Sequence, residues 1–389
     1  MIAALVFAAP APFTRARLGA ASARGLKLNH RLAGLQIAGT QGDYNWPDDE
    51  GLGDVARQTL FPERDYWTLS YRSIRRALYS ALDDLSPDVV VLPGWGFKET
   101  LAGLGWCIGR GVPRVVISDS QPVDSTQSRG KLWLKRLIVS NFQAGFAGGR
   151  PHARYLSALG LAPDRCFVGC DVVDNDFFAG ESSRSGRKQR RLDGEAMLLS
   201  CLRFLPRKNI VGVLEVIAGH HGWNWTIAGD GAERHEIERR IKTLGLKERV
   251  RLLGHVDYKE LPRIYSQADA YLQPSLSEPW GLAVNEAMAC GLPLVVSDRC
   301  GCHEDLVREG VNGFTFDPSR PETLTEALDR LLARKSSWGE MGQSSREIID
   351  GWGPELFAEN FWRACDAARL PRRAGRRERF ISRALKVAL

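Results

Sequence analysis

A chain of 389 residues that is 44% hydrophobic and 25% charged carries enough apolar side chains for two cores, so a disordered or fibrous protein is excluded. No apolar run approaches the roughly 18 residues of a membrane-spanning helix. The net charge of +7 is local: Arg363 to Leu389 holds nine Arg and Lys against two acids and the remainder balances, so the body is electrically neutral and nucleic acid is not an expected partner.

The opening MIAALVFAAPAPF lacks a basic leader and its apolar core is short, so residues 2 to 9 read as a buried strand rather than a signal peptide. A small-residue loop, Pro10 to Phe13, then leads to Thr14, Arg15 and Arg17; Arg15 is either a ligand contact or a solvated arginine. From Leu35 to Thr68 periodicity is poor, and Tyr44, Trp46 and Trp67 either wall a binding site or fill a small local core. A helix over Tyr71 to Leu85 and a strand over Val89 to Leu92 follow, in the rhythm of α/β proteins. The strand ends in Pro93-Gly94-Trp95-Gly96. A dinucleotide fingerprint needs a third glycine where Glu99 stands, which counts against a dehydrogenase. The next strand, Arg114 to Ile117, ends in Ser118-Asp119-Ser120. Asp119 is therefore at a strand's carboxyl end, where it either faces a ligand or caps the loop. Arg129 to Phe142 predicts an amphipathic helix with Lys131, Lys135 and Arg136 beside Trp133, either touching lipid or packed with a solvated basic face.

Residues 179 to 191 are polar and basic without an apolar pattern, as in an exposed linker. A strand over Ala196 to Cys201 precedes Arg203-Phe204-Leu205-Pro206-Arg207-Lys208-Asn209 and a helix. Strands at Trp225 to Ala228 and Val250 to Leu253 lead into the turns Gly229-Asp230-Gly231 and Gly254-His255-Val256. From Ala268 to Leu306 a short strand, a loop, a helix over Leu282 to Cys290 and a strand over Pro293 to Ser297 make a Rossmann-like unit. Glu278 lies in its loop and Glu286 just over a turn into the helix. Two carboxylates at different heights suit a polyhydroxyl ligand, and the free amides of Gly281 and Leu282 at the helix start suit a phosphate. Further helices are expected over Glu322 to Ala333 and Pro354 to Ala368. In the tail, Arg376, Arg379, Arg383 and Lys386 share one helical face and Ile381, Leu385 and Ala388 another, giving either a helix on an anionic membrane surface or a frayed solvated end. The eight cysteines show no zinc-ligand spacing, Cys300 and Cys302 beside His303 included, so free thiols are expected.

The segment E-P-W-G-L-A-V-N-E followed by A-M-A-C-G-L-P-L-V-V-S-D resembles the E-x7-E signature of retaining glycosyltransferases of family 4. These have the GT-B fold, an α/β architecture of two Rossmann-like domains facing across a cleft. The resemblance implies an N-terminal acceptor-side domain over 1–175, a linker over 176–191, and a nucleotide-sugar-binding domain over 192–352. A helix over 353–370 would return to the first domain and a basic tail would occupy 371–389. It implies that Glu286 binds the donor ribose, that Glu278 contacts sugar hydroxyls, and that Arg203 and Lys208, five apart, grip the donor diphosphate with the amides near Gly281 and Leu282. Fixed cations there would stabilise the charge that develops on the leaving group. Main chain near Val256 would contact the base, and Asp119 is the acidic candidate on the acceptor side.

The implied reaction moves a hexose-type sugar from a nucleoside-diphosphate-sugar, the co-substrate, to a hydroxyl acceptor without metal, cofactor or covalent enzyme intermediate. Asp174-Asn175-Asp176 looks like a metal-binding D-x-D, but the other motifs belong to a fold that works without metal. The acceptor class stays open among saccharides, lipid-linked saccharides and small molecules. The expected location is the cytoplasm, with the tail on the inner membrane face. An NAD-dependent oxidoreductase and a non-catalytic sugar-nucleotide-binding protein are the competing readings. The missing third glycine opposes the first and the intact charged set opposes the second.

Overall fold

The computed structural model describes residues 1–42, 56–124, 128–184 and 195–371. They divide into two units, Met1–Val172 with a C-terminal helix, and Val173–Gly353.

In the first unit the elements run β1 (Ile2–Phe7), α1 (Thr14–Lys27), β2 (Arg31–Thr40), β3 (Ala56–Asp65), α2 (Tyr71–Leu85), β4 (Val89–Leu92), α3 (Lys98–Arg110), β5 (Arg114–Ser118), α4 (Arg129–Val139), β6 (Ala144–Ala147), α5 (Arg150–Ala158) and β7 (Cys166–Val168). The strands form a parallel sheet ordered β3-β2-β1-β4-β5-β6-β7. Consecutive strands build outward in both directions from β1 and β4, so the loops at their carboxyl ends diverge and leave a crevice. Helix α2 shows how local chemistry sets an element. The Ser70 hydroxyl accepts from the Ser73 amide at 3.1 Å to start it, an apolar stripe of Ile74, Leu78, Ala81 and Leu82 is buried, and Ser86 in the left-handed region ends it.

The stretch from Leu35 to Thr68, in which periodicity is poor, takes in the second half of β2 and all of β3, each a ten-residue strand. β2 is buried on both faces, which removes the alternation a half-buried strand would show. β3 is an edge strand that tolerates Pro62, and the pair shifts register beside Gly39, where a Cβ would meet the Pro62 carbonyl at 1.8 Å. Tyr44 and Trp46 lie outside the described residues. Trp67 is exposed, so it belongs to no local core.

The second unit comprises α6 (Asn175–Arg184), β8 (Ala196–Cys201), α7 (Ile210–Gly219), β9 (Trp223–Ala228), α8 (Arg234–Thr243), β10 (Val250–Gly254), α9 (Leu261–Ser266), β11 (Ala270–Gln273), α10 (Leu282–Ala289), β12 (Leu294–Ser297), α11 (His303–Leu306), β13 (Gly313–Phe316), α12 (Pro321–Leu332) and α13 (Trp338–Asp350). Its parallel sheet is ordered β10-β9-β8-β11-β12-β13, with the corresponding switch point between β8 and β11. Finally α14 (Pro354–Arg369) packs in the first unit, where Trp362 donates to the Ala21 carbonyl at 2.8 Å and Phe357 meets Phe146 at 5.1 Å between ring centres.

Two expectations change here. Residues 176 to 184, read as open linker, belong to helix α6. The Asp174 carboxylate accepts from the Phe177 amide at 2.9 Å, and Phe178 is fully buried against the rings of Tyr258 and Tyr265. The same bond makes Asp174 a helix cap, and Asn175 donates to the Ile349 carbonyl at 2.8 Å. The rest of the expected linker, from 185, and the tail from 372 lie outside the described residues.

Candidate functional site

The strand order of the second unit places the loop after β8 beside the loop after β11, because those strands are neighbours although 70 residues separate Lys208 from Glu278. Main chain ties the loops together: the Leu276 amide donates to the Arg207 carbonyl at 2.8 Å. Lys208 and Glu278 are both buried and form an ion pair through Nζ and Oε2. On the other carboxylate oxygen, Oε1, the Arg207 guanidinium approaches to 3.5 Å while also donating to the Ser277 carbonyl at 3.2 Å.

A second set of bonds reaches Glu278 from the strand. Gln273 Nε2 donates to Oε2 at 3.2 Å and to Ser275 Oγ at 3.0 Å, and Ser275 Oγ donates to Oε2 at 3.2 Å. The Gln273 amide is itself oriented by the Tyr271 hydroxyl, which donates to its Oε1 at 2.7 Å. Glu278 is thus a buried carboxylate held by two cations and two neutral donors, which offsets the cost of removing its charge from water. Main chain holds it as well, with the Glu278 amide donating to the Arg299 carbonyl at 3.2 Å.

Gly281 then turns the chain into α10 with φ of +104°, a left-handed conformation that favours glycine. The turn is fixed by Trp280, whose indole N–H donates to Asn285 Oδ1 at 2.9 Å and whose ring stacks on Trp352 at 5.4 Å. The first amides of α10, at Gly281 and Leu282, have no partner within the helix. One turn on, Glu286 is buried and accepts from the Tyr265 hydroxyl at 2.7 Å. Burial pushes its carboxyl from 4.5 up to about 7, against the opposing pull of the Tyr265 bond. Burial likewise raises the Tyr265 hydroxyl well above its usual range.

Of the residues singled out in the sequence, Lys208 and Glu278 form a pair, and Gly281, Leu282 and Glu286 follow Glu278 through the turn and into the first part of α10. Arg203 stands half-buried at the carboxyl end of β8, on the loop that carries Lys208. Val256 follows β10 and packs against the cluster containing Tyr265, Trp280 and Val284. Asp119 belongs to the first unit, exposed just past β5. Arg15 is exposed, and its neighbour Arg17 instead pairs with Asp171 at 3.4 Å. In α4, Trp133 and Leu134 are exposed, while Lys135 donates to the Tyr155 hydroxyl at 3.1 Å. Cys300 and Cys302 are buried free thiols, and no group of three metal-ligating side chains occurs among the described residues.

Sequence reasoning missed Gln273, Ser275 and Tyr265, and saw in Arg207 only an extra charge of unknown use. A signal existed for the first: a glutamine closing a strand whose every residue is buried has to be there for its amide.

Residues 182–348 match the family model described as glycosyl transferases group 1. An uncharacterised glycosyltransferase of Methanocaldococcus jannaschii is 35% identical over 150 residues, which are 38% of this chain and 37% of that protein. The chain therefore spans well under two thirds of that relative's length. Among solved structures, sucrose-phosphate synthase of Thermosynechococcus elongatus superposes with a TM-score of 0.72 at 20% identity, covering 95% of this chain and all of that one. HepE of Anabaena, solved with UDP and glucose, gives 0.71 at 16% identity over 94% of this chain and all of its own. The two parallel α/β sheets are those of the GT-B fold.

Proposed function

We propose that this chain, whose residues 182–348 are a group 1 glycosyl transferase domain, transfers a hexose-type sugar from a nucleoside-diphosphate-sugar to a hydroxyl acceptor with retention at the anomeric carbon. The observation that carries the reading is the Glu278 cluster. A buried carboxylate, two cations and the amino end of a helix meet at the switch point of a parallel sheet, and Glu286 lies one turn deeper. Glu278 accepts bonds from sugar hydroxyls and Glu286 from the ribose. Arg203, Lys208 and the amides of Gly281 and Leu282 neutralise the diphosphate as the glycosidic bond breaks, with Val256 beside the base. HepE, a chain of the same fold solved with UDP and glucose, supports a uridine donor.

The departing phosphate oxygen takes the acceptor proton, and Asp119 assists on the acceptor side. The acceptor is a saccharide, a lipid-linked saccharide or a small molecule. No helix among the described residues is long and apolar enough to cross a membrane, and the cationic tail supports a cytoplasmic enzyme held at an anionic surface. The test is turnover and binding across UDP-, GDP- and ADP-sugars, with wild type and Asp119→Asn. Saturable binding of one donor and a drop in kcat for the variant are expected. Binding of NAD and of no sugar nucleotide would overturn the reading, and unchanged turnover by Asp119→Asn would remove that residue from it.

A further inference from the structure

In the second unit Trp223 and Trp338 stack at 5.4 Å between ring centres with both rings sealed in the core. Trp280 and Trp352 stack at the same separation, 14° from parallel, but only Trp280 is buried; Trp352, just past the end of α13, stays partly exposed. An indole left partly in water is a poor core filler. What Trp352 covers is a face of the ring that precedes the Gly281 turn. Trp280 is held in three ways. Its indole N–H donates to Asn285 Oδ1 at 2.9 Å, which ties it across the turn to α10. Its carbonyl accepts from the Cys302 amide at 3.2 Å. Its ring lies on Trp352, whose own amide donates to the Ile349 carbonyl at 2.8 Å and is thereby anchored to the last turn of α13. In a planar trans peptide the N–H points opposite to the preceding carbonyl, so whatever fixes the end of Trp280 also aims the Gly281 amide. Glycine, with no side chain to restrict it, does not set that direction by itself.

We propose that Trp352 is a positioning residue for the donor diphosphate: by stacking on Trp280 it holds the Gly281 and Leu282 amides in the direction from which they donate to a phosphate. The proposal rests on the reading that a nucleoside diphosphate lies at these amides. Trp352 acts through Trp280 alone. Glu278 is held by Lys208, Gln273 and Ser275, and Glu286 by Tyr265, so neither carboxylate depends on the stack. The effect of Trp352 is therefore confined to the phosphate share of donor binding. A residue that only filled space would move stability and the affinity for every part of the donor together.

The test compares a nucleoside with its diphosphate by calorimetry on the full chain. Uridine and UDP, guanosine and GDP, and adenosine and ADP are titrated into wild type, and the base that binds is kept for the variants. The ratio of the two affinities measures what the phosphates add. Trp352→Ala is expected to lower that ratio about fivefold, the scale of one aromatic pair, and to leave nucleoside affinity as it was. Trp352→Phe, which keeps a ring face, should retain most of the ratio. Asn285→Ala releases the same indole at its edge, so the two losses should overlap, and the double variant should fall short of the product of the single ones. If Trp352→Ala does not fold, Trp352→Leu carries the same expectation, with circular dichroism and nucleoside affinity as the check on folding. The inference is overturned if the folded variant keeps the wild-type ratio, if nucleoside and diphosphate weaken by the same factor, or if Trp352→Phe loses as much as Trp352→Ala. In each of those cases wild type still binds a nucleoside diphosphate and the glycosyltransferase reading stands. Binding of no nucleoside diphosphate by wild type would remove both.

Discussion

Glu286 offers a test that separates binding function from stability, because the ligand-free protein bears a cost there. Its carboxyl rises from 4.5 to about 7 on burial, and at about 1.4 kcal/mol for each tenfold change in acidity this comes to about 3 kcal/mol. The sign follows from counting protons. Below pH 4.5 the group is protonated in both folded and unfolded chains and contributes nothing. Between 4.5 and about 7 the unfolded chain has released its proton and the folded one has not, so stability falls as pH rises; above 7 the loss is complete. Glu286→Gln removes the titration while leaving an oxygen to accept from Tyr265. The variant should therefore be more stable than wild type by up to about 3 kcal/mol at pH 8, and by less than about 1 kcal/mol at pH 5. For a unit of this size that is roughly 5 to 10 °C in melting temperature at the higher pH. Paired thermal melts at the two values measure it. The same variant should lose donor affinity, since an amide oxygen is a weaker acceptor for ribose hydroxyls than a carboxylate. A gain equal at both pH values, or a loss of stability at pH 8, would refute the argument that burial sets this group's charge.

The Lys208–Glu278 pair makes the opposite prediction. Lys208→Ala leaves a buried carboxylate short of a cation and should cost about 3 kcal/mol as well as most turnover. Adding Glu278→Leu should restore much of the stability and none of the activity, which urea titration and a transfer assay on the single and double variants would show. Truncation after Leu370 removes the cationic tail and should abolish sedimentation with vesicles of anionic lipid. Unaltered sedimentation would rule out attachment through the tail.

What the sequence made legible was chemical type, and what it hid was adjacency. Glu278, Glu286, Gly281 and Leu282 fall within nine residues, so their common location follows from one strand, one turn and one helix. Lys208 was named for the diphosphate because of its spacing from Arg203, yet its nearest partner is Glu278, a contact created by β8 and β11 being neighbours in the sheet. Arg207 stood out only as a surplus charge for the same reason. β2 was unreadable because a strand buried on both faces has no period to detect, and α6 because its only apolar anchors are Phe177 and Phe178 at its first turn. Glu99 was noticed for the glycine it is not; that it is sealed from water beside a cavity depends on segments far apart in the chain.

The pairing of Lys208 with Glu278 also bears on how the donor is held. With Lys208 and Arg207 both on one carboxylate, the cluster retains one positive charge. Glu286, held near half ionisation at neutral pH by burial, subtracts less than a full charge. A loop with that charge would attract a diphosphate without Lys208 first abandoning Glu278. On the proposed reading a bridging ammonium would serve both ends of the donor: Glu278 would keep its orientation toward the sugar hydroxyls, and the same Nζ would supply charge to the phosphate as the glycosidic bond lengthens. Gln273 and Ser275, which share Oε2 with Lys208, then matter most at that moment, because they hold the carboxylate in place as the ammonium's weight shifts to the leaving group.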